Sequence, residues 1–263
     1  MRSLSAPLLA LVSLLTACSD PPTMVGTVKD PWGQPLAGAT VQLEDVVEQA
    51  TTDASGAFSF QRVTGKRRIQ AGKDGYIRTV ETWGLPDELE SELTSIDLRV
   101  FPDPPQSGFF LINDTAYSEL AAQSVDLAGT EIKAYTGIKT GGEVKIRSKD
   151  RLRFIFSSPR SRAELAHLDL QLHRLEFIEN VPVSTVLGEE QVKINRFIAA
   201  GEPVPFELKE LDSGDDYLLT TRASLEPGFY AFHTEGQLTT TRSDGLDKLP
   251  EELRKAWPLQ VTE

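Results

Sequence analysis

From residue 24 onward, hydrophobic and polar residues alternate in short runs separated by turn-forming residues. The run MVGTVK is followed by DPWGQP and then by GATVQLED, so two alternating runs flank a segment rich in aspartate, proline and glycine. A period of two indicates β-strands, and these three residue types favour tight turns. The pattern repeats at TTDASGAFSFQ, where a turn over residues 53–56 precedes a strand with Phe58 and Phe60 on one face. We therefore predict a small all-β domain over residues 24–101.

A second series of alternating runs begins at residue 108 with GFFLIND. The further strand candidates are TEIKAYTG, EVKIRS, RLRFIFSS, HLDLQLHRLEFI, VPFELKEL, DYLLTTRAS and GFYAFHTEG. Short strands at this spacing predict a second β-sandwich or a small barrel. In HLDLQLHRLEFI the alternation changes phase after His173, which we interpret as a β-bulge.

The C-terminal segment has a different period. Leu249, Leu253 and Trp257 recur at intervals of four residues, which is typical of one face of a helix. Pro258 follows and cannot continue a helix. We therefore predict a helix from about residue 247 to residue 256, packed on the second domain.

The predicted fold class is all-β, with two β-sandwich domains in tandem and a short C-terminal helix. The domains span residues 24–101 and 108–263. Residues 102–107, PDPPQS, form the linker between them. Its three prolines lack backbone donors and stiffen the chain.

The first domain resembles the carboxypeptidase regulatory-like domain, which is a transthyretin-like β-sandwich. The resemblance rests on the order and spacing of GTVKDPWGQPLAGATVQLED, TDASGAFSF and the dipeptide Gly75–Tyr76. The stretch GKRRIQA departs from the family pattern, because many relatives have an apolar strand there. The resemblance implies a sandwich fold and a place in a group of carbohydrate-binding-like folds. The second domain resembles no family that we recognise.

The first 17 residues have the basic start, the apolar centre and the small terminal residues of a secretory signal peptide. The apolar stretch is shorter than the roughly 20 residues of a membrane-spanning helix. Cys18 follows and is the only cysteine of the chain. The string LTAC resembles the lipobox of bacterial lipoproteins, which implies cleavage after Ala17 and lipid attachment to Cys18. Several acyl chains hold a protein on a membrane more stably than one chain does.

Residues 18–23 are then a short polar tether. In Gram-negative lipoproteins an aspartate directly after the lipidated cysteine commonly signals retention in the inner membrane; Ser19 occupies that position here, which favours the outer membrane. The alternative is an ordinary signal peptide followed by a free thiol. A free thiol is a reactive liability in an exported protein, and a lone cysteine forms no internal disulfide. We expect a lipid-anchored protein of the cell envelope, with the membrane as one partner.

Charge argues against a nucleic-acid partner. The chain has 27 Lys and Arg against 39 Asp and Glu, for a net charge of -12, whereas phosphate neutralisation needs clustered cations. Two stretches are nevertheless basic, RVTGKRRIQAGK at residues 62–73 and KIRSKDRLRF at residues 145–154. The favoured interpretation is solvated strand faces and turns; the alternative is contact with anionic sugars or lipid head groups.

The three histidines, His167, His173 and His233, are the candidates for metal or acid–base chemistry. If HLDLQLH is one strand, His167 and His173 lie about 20 Å apart at about 3.3 Å per residue, too far for one metal ion. His233 could share a strand face with Glu235 as an acid–base pair. The sequence contains no nucleophile-elbow serine, phosphate-binding loop or zinc-protease motif. We expect no catalytic residue, no metal and no cofactor, and hence no enzyme.

Two functions remain open. The first is a non-catalytic envelope protein that displays its two sandwiches for structural support or contact with an envelope protein. The second is a carbohydrate-binding lipoprotein that uses exposed aromatic rings of the first domain, with Trp32, Tyr76 and Trp83 as candidates for glycan binding. Exposure of these rings on one face would favour a glycan, and their burial would favour display.

Overall fold

The computed structural model of the protein describes residues 24–44, 47–61, 66–83, 94–130, 133–147, 151–212, 214–238 and 254–263. The predicted signal peptide, Cys18 and the tether lie outside these residues. Within them the chain is almost entirely β-structure arranged in several sheets. The predicted all-β class with tandem β-sandwiches is confirmed.

The first domain contains eight strands within its described residues. They are β1 (Met24–Lys29), β2 (Thr40–Leu43), β3 (Gln49–Thr51), β4 (Ala57–Phe60), β5 (Arg67–Lys73), β6 (Tyr76–Trp83), β7 (Thr94–Arg99) and β8 (Phe101–Pro102). They form one sheet in the order β4-β1-β7 and another in the order β3-β2-β5-β6-β8. β1 and β7 are parallel, and the other neighbours are antiparallel. The core between the sheets includes Met24, Val41, Phe60, Ile69 and Leu98.

The predicted turns of this domain are closed by side chains. Oδ1 of Asp53 accepts hydrogen bonds from the backbone N–H of Ser55 at 2.8 Å and of Ala57 at 2.9 Å. The hydroxyl of Ser55 also donates to Asp53, and these bonds hold the pKa of the Asp53 carboxyl below its usual value. This turn is thus fixed by local hydrogen bonds and needs no bound ion.

The second domain contains thirteen strands and one helix among the described residues. They are β9 (Gly108–Ile112), β10 (Tyr117–Leu120), β11 (Gln123–Ser124), β12 (Asp126–Gly129), β13 (Ala134–Gly137), β14 (Lys145–Arg147), β15 (Arg153–Ser157), α1 (Arg162–Leu168), β16 (Leu170–Thr185), β17 (Gly188–Ala200), β18 (Phe206–Glu210), β19 (Asp216–Thr221), β20 (Gly228–Thr234) and β21 (Lys255–Thr262). One sheet has the order β10-β9-β15-β19-β18, and the other has the order β11-β21-β20-β16-β17, with β14 also paired to β21. β12 and β13 form a separate hairpin.

The main core of the second domain lies between its two large sheets. The five-stranded sheet β10-β9-β15-β19-β18 supplies Phe109, Phe154 and Tyr217, and the other sheet supplies Phe232 and Leu259. The rings of Phe109 and Phe232 stack with their centroids 4.6 Å apart. Aromatic rings of this size bury a large apolar area, so this layer is the principal stabilising feature of the domain.

The predicted C-terminal helix is wrong where the structure describes it. Residues 247–253 lie outside the described part, but residues 255–262 form strand β21 between β20 and the short strands β11 and β14. Ala256, Leu259 and Val261 are buried in this strand. Pro258 lies opposite Ala231 of β20, at a point between the stretches that pair with β11 and β14, so its missing N–H costs no ladder bond.

The interpretation of HLDLQLHRLEFI as one bulged strand is also wrong. Residues 162–168 form α1, whose N-cap Ser161 makes a capping box with Glu164, and Asp169 ends it with φ +44°. The phase change after His173 is not a bulge, since β16 pairs with β20 without a shift through Leu175. Leu172 faces the core between the sheets, whereas Leu175 faces a second apolar cluster on the outer side. Burial of both faces explains the pattern.

The strands β16 and β17 form a long hairpin that extends beyond the sheet. β20 pairs with residues 170–175 of β16, whereas β17 pairs with residues 174–185 of β16, almost to the tip of the hairpin. The outer part packs on the β12–β13 hairpin through Tyr135, Val181 and Ile194. Val186 and Leu187 form the tip and are fully exposed. Among the described residues, no helix has the length and hydropathy needed to cross a membrane.

Candidate functional site at the seam between the two domains

The two domains share an apolar cluster, which we call the seam. Its buried members are Ile77, Phe101, Phe110, Ile112, Ile155 and Leu211, with Tyr117 and Leu218 packed against them. Along β9, Phe109 and Leu111 face the inner core, while Phe110 and Ile112 face outward into the seam. The sheet β10-β9-β15-β19-β18 is therefore packed on both faces at β9, and the first domain covers its outer face there.

Polar contacts extend the seam on both sides. Arg78 pairs with Asp212 at 3.6 Å, and Lys209 pairs with Glu81. The guanidinium of Arg153 donates to the carbonyl oxygen of Pro31 at 3.4 Å. Exposed ion pairs such as the first two contribute little stability, so the apolar cluster is the main link between the domains.

The predicted linker starts within this contact. Pro102 belongs to β8 and lies opposite Tyr76 of β6. Its carbonyl oxygen accepts a hydrogen bond from the hydroxyl of Tyr117 at 3.0 Å. Burial, reinforced by nearby acidic groups, raises the pKa of Tyr117. The start of the linker is thus fixed by hydrogen bonds to both domains.

Trp32, the first glycan candidate, joins the domains at one end of the seam. The carboxylate of Asp30 accepts from the backbone N–H of Trp32 at 2.9 Å and of Gln34 at 2.8 Å, which fixes the turn that carries the ring. The indole Nε1–H donates to the carbonyl oxygen of Asn113 at 2.8 Å. The ring is half-buried and lies 5.6 Å from that of Tyr117, measured between centroids. Trp32 is thus part of a contact between the domains.

The other two glycan candidates lie in different surroundings. Trp83 is only 6% exposed and belongs to the core of the first domain. Tyr76 is half-buried and lines a polar pocket of about 670 Å³ on the outer face of its sheet, together with Gln42 and Gln70. The three rings do not share an exposed face, so they form no common platform for a sugar.

The two basic stretches have different neighbours. In the first stretch Arg68 pairs with Glu44 at 3.5 Å. In the second stretch Lys145, Arg147, Arg151 and Arg153 line a cleft beside Trp32. The sequence indicated both stretches equally, but the described residues of the second stretch are the ones that line a cleft between the domains.

Two histidines that the sequence treats separately are in contact. Nδ1 of His173 lies 2.9 Å from Nε2 of His233, and both residues are buried. Nδ1 of His233 lies 2.7 Å from the carbonyl oxygen of Thr234. Because a carbonyl oxygen only accepts, His233 carries its proton on Nδ1, and its Nε2 accepts from Nδ1–H of His173 when both rings are neutral. The pair is a satisfied internal contact on the outer face of β16 and β20.

Burial sets the charge state of this pair. It lowers the pKa of His233 to about 4 and also lowers the pKa of His173. The suggested partner of His233, Glu235, is exposed in the turn after β20. His167 is exposed on α1. In the part of the chain that the structure describes, no three His, Cys, Asp or Glu side chains surround a common metal position.

The described residues define a protein of β-sandwich domains. Residues 23–99 match the family model of the carboxypeptidase regulatory-like domain, which confirms the resemblance of the first domain.

Solved structures similar to the chain include two DUF3823 family proteins. The one from Parabacteroides merdae has 13% identity over 77% of this chain and 97% of its own, with a TM-score of 0.25. The one from Bacteroides ovatus has 12% identity over 78% and 97%, also with a TM-score of 0.25. BcpA, the major pilin subunit of Bacillus cereus, has 11% identity over 90% and 68%, with a TM-score of 0.26. A comparison with curated proteins finds no match.

Proposed function

We propose that the protein is a non-catalytic, lipid-anchored protein of the cell envelope, located in the outer membrane, that displays its two sandwiches as one body for contact with an envelope protein. The sequence around Cys18 supports the anchor. The seam supports display of both domains as a unit, because a buried apolar cluster resists separation of its two sides.

The observation that carries the contact role is the tip of the β16–β17 hairpin. Val186 and Leu187 are fully exposed at the end of a hairpin that outreaches its sheet. Exposed apolar side chains at such a projection favour association with another protein. The burial of Trp83 and the use of Trp32 between the domains disfavour the alternative of a glycan platform built from Trp32, Tyr76 and Trp83.

The experiment expresses the full-length chain in a Gram-negative host with labelled palmitate. The unaltered protein should incorporate label and sediment with outer membranes. Cys18→Ala should abolish the label and release the protein from membranes, and Ser19→Asp should keep the label but move the protein to the inner membrane. Membrane retention of unlabelled Cys18→Ala would refute the anchor.

The contact role is read out by photo-crosslinking in the same cells, with a crosslinker placed at residue 185. A discrete crosslinked species should form with the unaltered protein and weaken in Val186→Ser/Leu187→Ser. Val47→Ser is the matched control, because Val47 is equally exposed but lies in the first domain. Crosslinking that is unchanged by the tip variant would contradict the proposed role of the hairpin.

A further inference from the structure

A cleft of about 690 Å³ lies between the first turn of the first domain and strands β14 and β15 of the second. Pro31 and Trp32 form one wall, and Asn113 and Thr115 lie at the end of β9. A volume of this size suits a small molecule and is too small for a folded protein. The cleft exists only because the two domains are joined at the seam.

Four cations line the opposite wall, where Lys145 and Arg147 belong to β14 and Arg151 and Arg153 lie at the start of β15. Residues two apart on a strand share a face. The alternating sequences KIR and RLR therefore direct all four cations to the cleft, while Ile146 and Leu152 pack on the core of the second domain.

The charge of the cleft is not balanced by its own lining. Asp114 is the only carboxylate among the described residues that line the cleft, in a chain with a net charge of -12. Among the residues that the structure describes, none of the four cations has a carboxylate within ion-pair distance. By contrast, two other cations near the domain boundary, Arg78 and Lys209, are paired with carboxylates.

Positive charge is also crowded at the inner end. Arg153 is half-buried and donates to the carbonyl oxygen of Pro31. Burial and the nearby guanidinium of Arg99 lower the pKa of Arg153. An anion in the cleft would relieve both effects, because it would supply the missing countercharge close to a partly desolvated cation.

We propose that this cationic cleft binds a small hydroxylated molecule that bears a phosphate monoester. A phosphate monoester carries about two negative charges, which match four cations and one carboxylate better than a single carboxylate would. Arginine binds phosphate oxygens in a bidentate manner. Asn113 and Thr115 offer hydrogen-bonding groups for hydroxyls, and Trp32 offers an apolar ring. The proposal does not depend on lipidation of Cys18 or on the hairpin contact.

The phosphate monoester could come from two sources, a free sugar phosphate or the head group of phosphatidic acid, which lacks the hydroxyls. Isothermal titration of the detergent-solubilised full-length protein at low salt should detect binding of glucose 6-phosphate but not of glucose. Vesicles of phosphatidylcholine with and without phosphatidic acid test the second source. Preference for glucose 6-phosphate assigns a free ligand, and preference for phosphatidic acid vesicles assigns a head group; either supports the cleft if the variant below abolishes it.

The decisive variant is Arg147→Gln/Arg151→Gln. Affinity should fall by about tenfold or more for each arginine removed, since each arginine makes charge-assisted hydrogen bonds to the phosphate, which are stronger than hydrogen bonds between neutral groups. The matched control is Arg68→Gln/Lys73→Gln in the other basic stretch, which should bind as the unaltered protein does. Circular dichroism melts of both variants report on folding. Absence of binding by every phosphate probe, equal binding of glucose, or unchanged binding by Arg147→Gln/Arg151→Gln would overturn the proposal.

Discussion

The two domains bury their sheets in different ways. In the first domain, strands β2 and β4 alternate between core and solvent, as Val41 and Phe58 are buried and Thr40 and Ser59 are exposed. In the second domain, β9 and β15 are buried at successive positions. The first domain closes one core by itself, whereas the second depends on covers outside its own sandwich. This difference shows that the fold and the candidate sites of the second domain depend on the packing of other parts of the chain against its sheets.

The largest expected effect tests the outer cover. Phe110 is 1% exposed and faces the seam, whereas its neighbour Phe109 is fully buried in the inner core. Either Phe→Ala variant should lower the free energy of unfolding by about 3–5 kcal/mol, measured by urea denaturation. Only Phe110→Ala should also loosen the seam and speed hydrogen exchange of the Trp32 indole N–H, which donates to Asn113 across the boundary.

Phe109→Ala is the matched control for Phe110→Ala, because it removes the same kind of side chain from the other face of the same strand. Indole exchange is followed by NMR under conditions in which both variants remain folded. Equal exchange rates at Trp32 in the two variants would show that the seam does not depend on Phe110.

The second effect tests the buried pair His173–His233, which lies on the outer face of β16 and β20. Since burial lowers the pKa of His233 to about 4 from 6.5, the unfolded chain takes up a proton at a higher pH than the folded one. The contribution of His233 to the free energy of unfolding is therefore fully present above about pH 6.5 and is lost as the pH falls towards 4. At about 1.4 kcal/mol per pH unit, this histidine accounts for about 3 kcal/mol of the loss.

Urea unfolding at pH 7, 6, 5 and 4 measures this dependence. His233→Gln should be less stable at pH 7, because it breaks the contacts with His173 and Thr234, but its stability should vary less with pH. His167→Gln is the matched control, since His167 is exposed on α1, and it should keep the full dependence. If His233→Gln follows the same pH curve as the unaltered protein, the pair does not set that dependence.

The sequence predicted the first domain well, because its pattern is local. Its turns and strands are determined by residues only a few positions apart in the sequence. Asp53, for example, closes the expected turn by accepting hydrogen bonds from Ser55 and Ala57. The same reasoning failed for residues 167 and 168, which belong to α1, and for β21. In α1 the helix is set by the capping box of Ser161 and Glu164. In β21, Trp257, the last member of the predicted four-residue recurrence, instead pairs with Phe232 of β20.

The candidate sites were only partly predictable. The continuous apolar runs FFLI and FIF indicate burial on both faces, which could have shown that something covers β9 and β15. The basic residues of the cleft were recognisable as KIRSKDRLRF. Their proximity to Trp32, however, depends on packing between the two domains, which brings together residues more than 100 positions apart in the sequence. Contact of His173 with His233 likewise depends on the register of β16 and β20.

The smallest expected effect returns to the local character of the first domain. Gly56 and Gly75 both lie in turns with positive φ, +74° and +78°. An added Cβ at Gly75 would meet open space, but at Gly56 it would lie 2.5 Å from the carbonyl oxygen of Val28. Gly75→Ala should lower the free energy of unfolding by about 1 kcal/mol, which is the cost of placing an alanine at positive φ.

Gly56→Ala should cost about 1–2 kcal/mol more than Gly75→Ala. The backbone N–H of Val28 donates to the carbonyl oxygen of Gly56 at 2.8 Å, and that of Leu36 donates to the carbonyl oxygen of Val28 at 2.9 Å. Displacing Val28 weakens both bonds, each worth about 1 kcal/mol. Urea denaturation of the two variants measures the difference. Equal losses would mean that the turn shifts freely, and the first domain would then be less tightly determined by its local contacts than the comparison with the second domain requires.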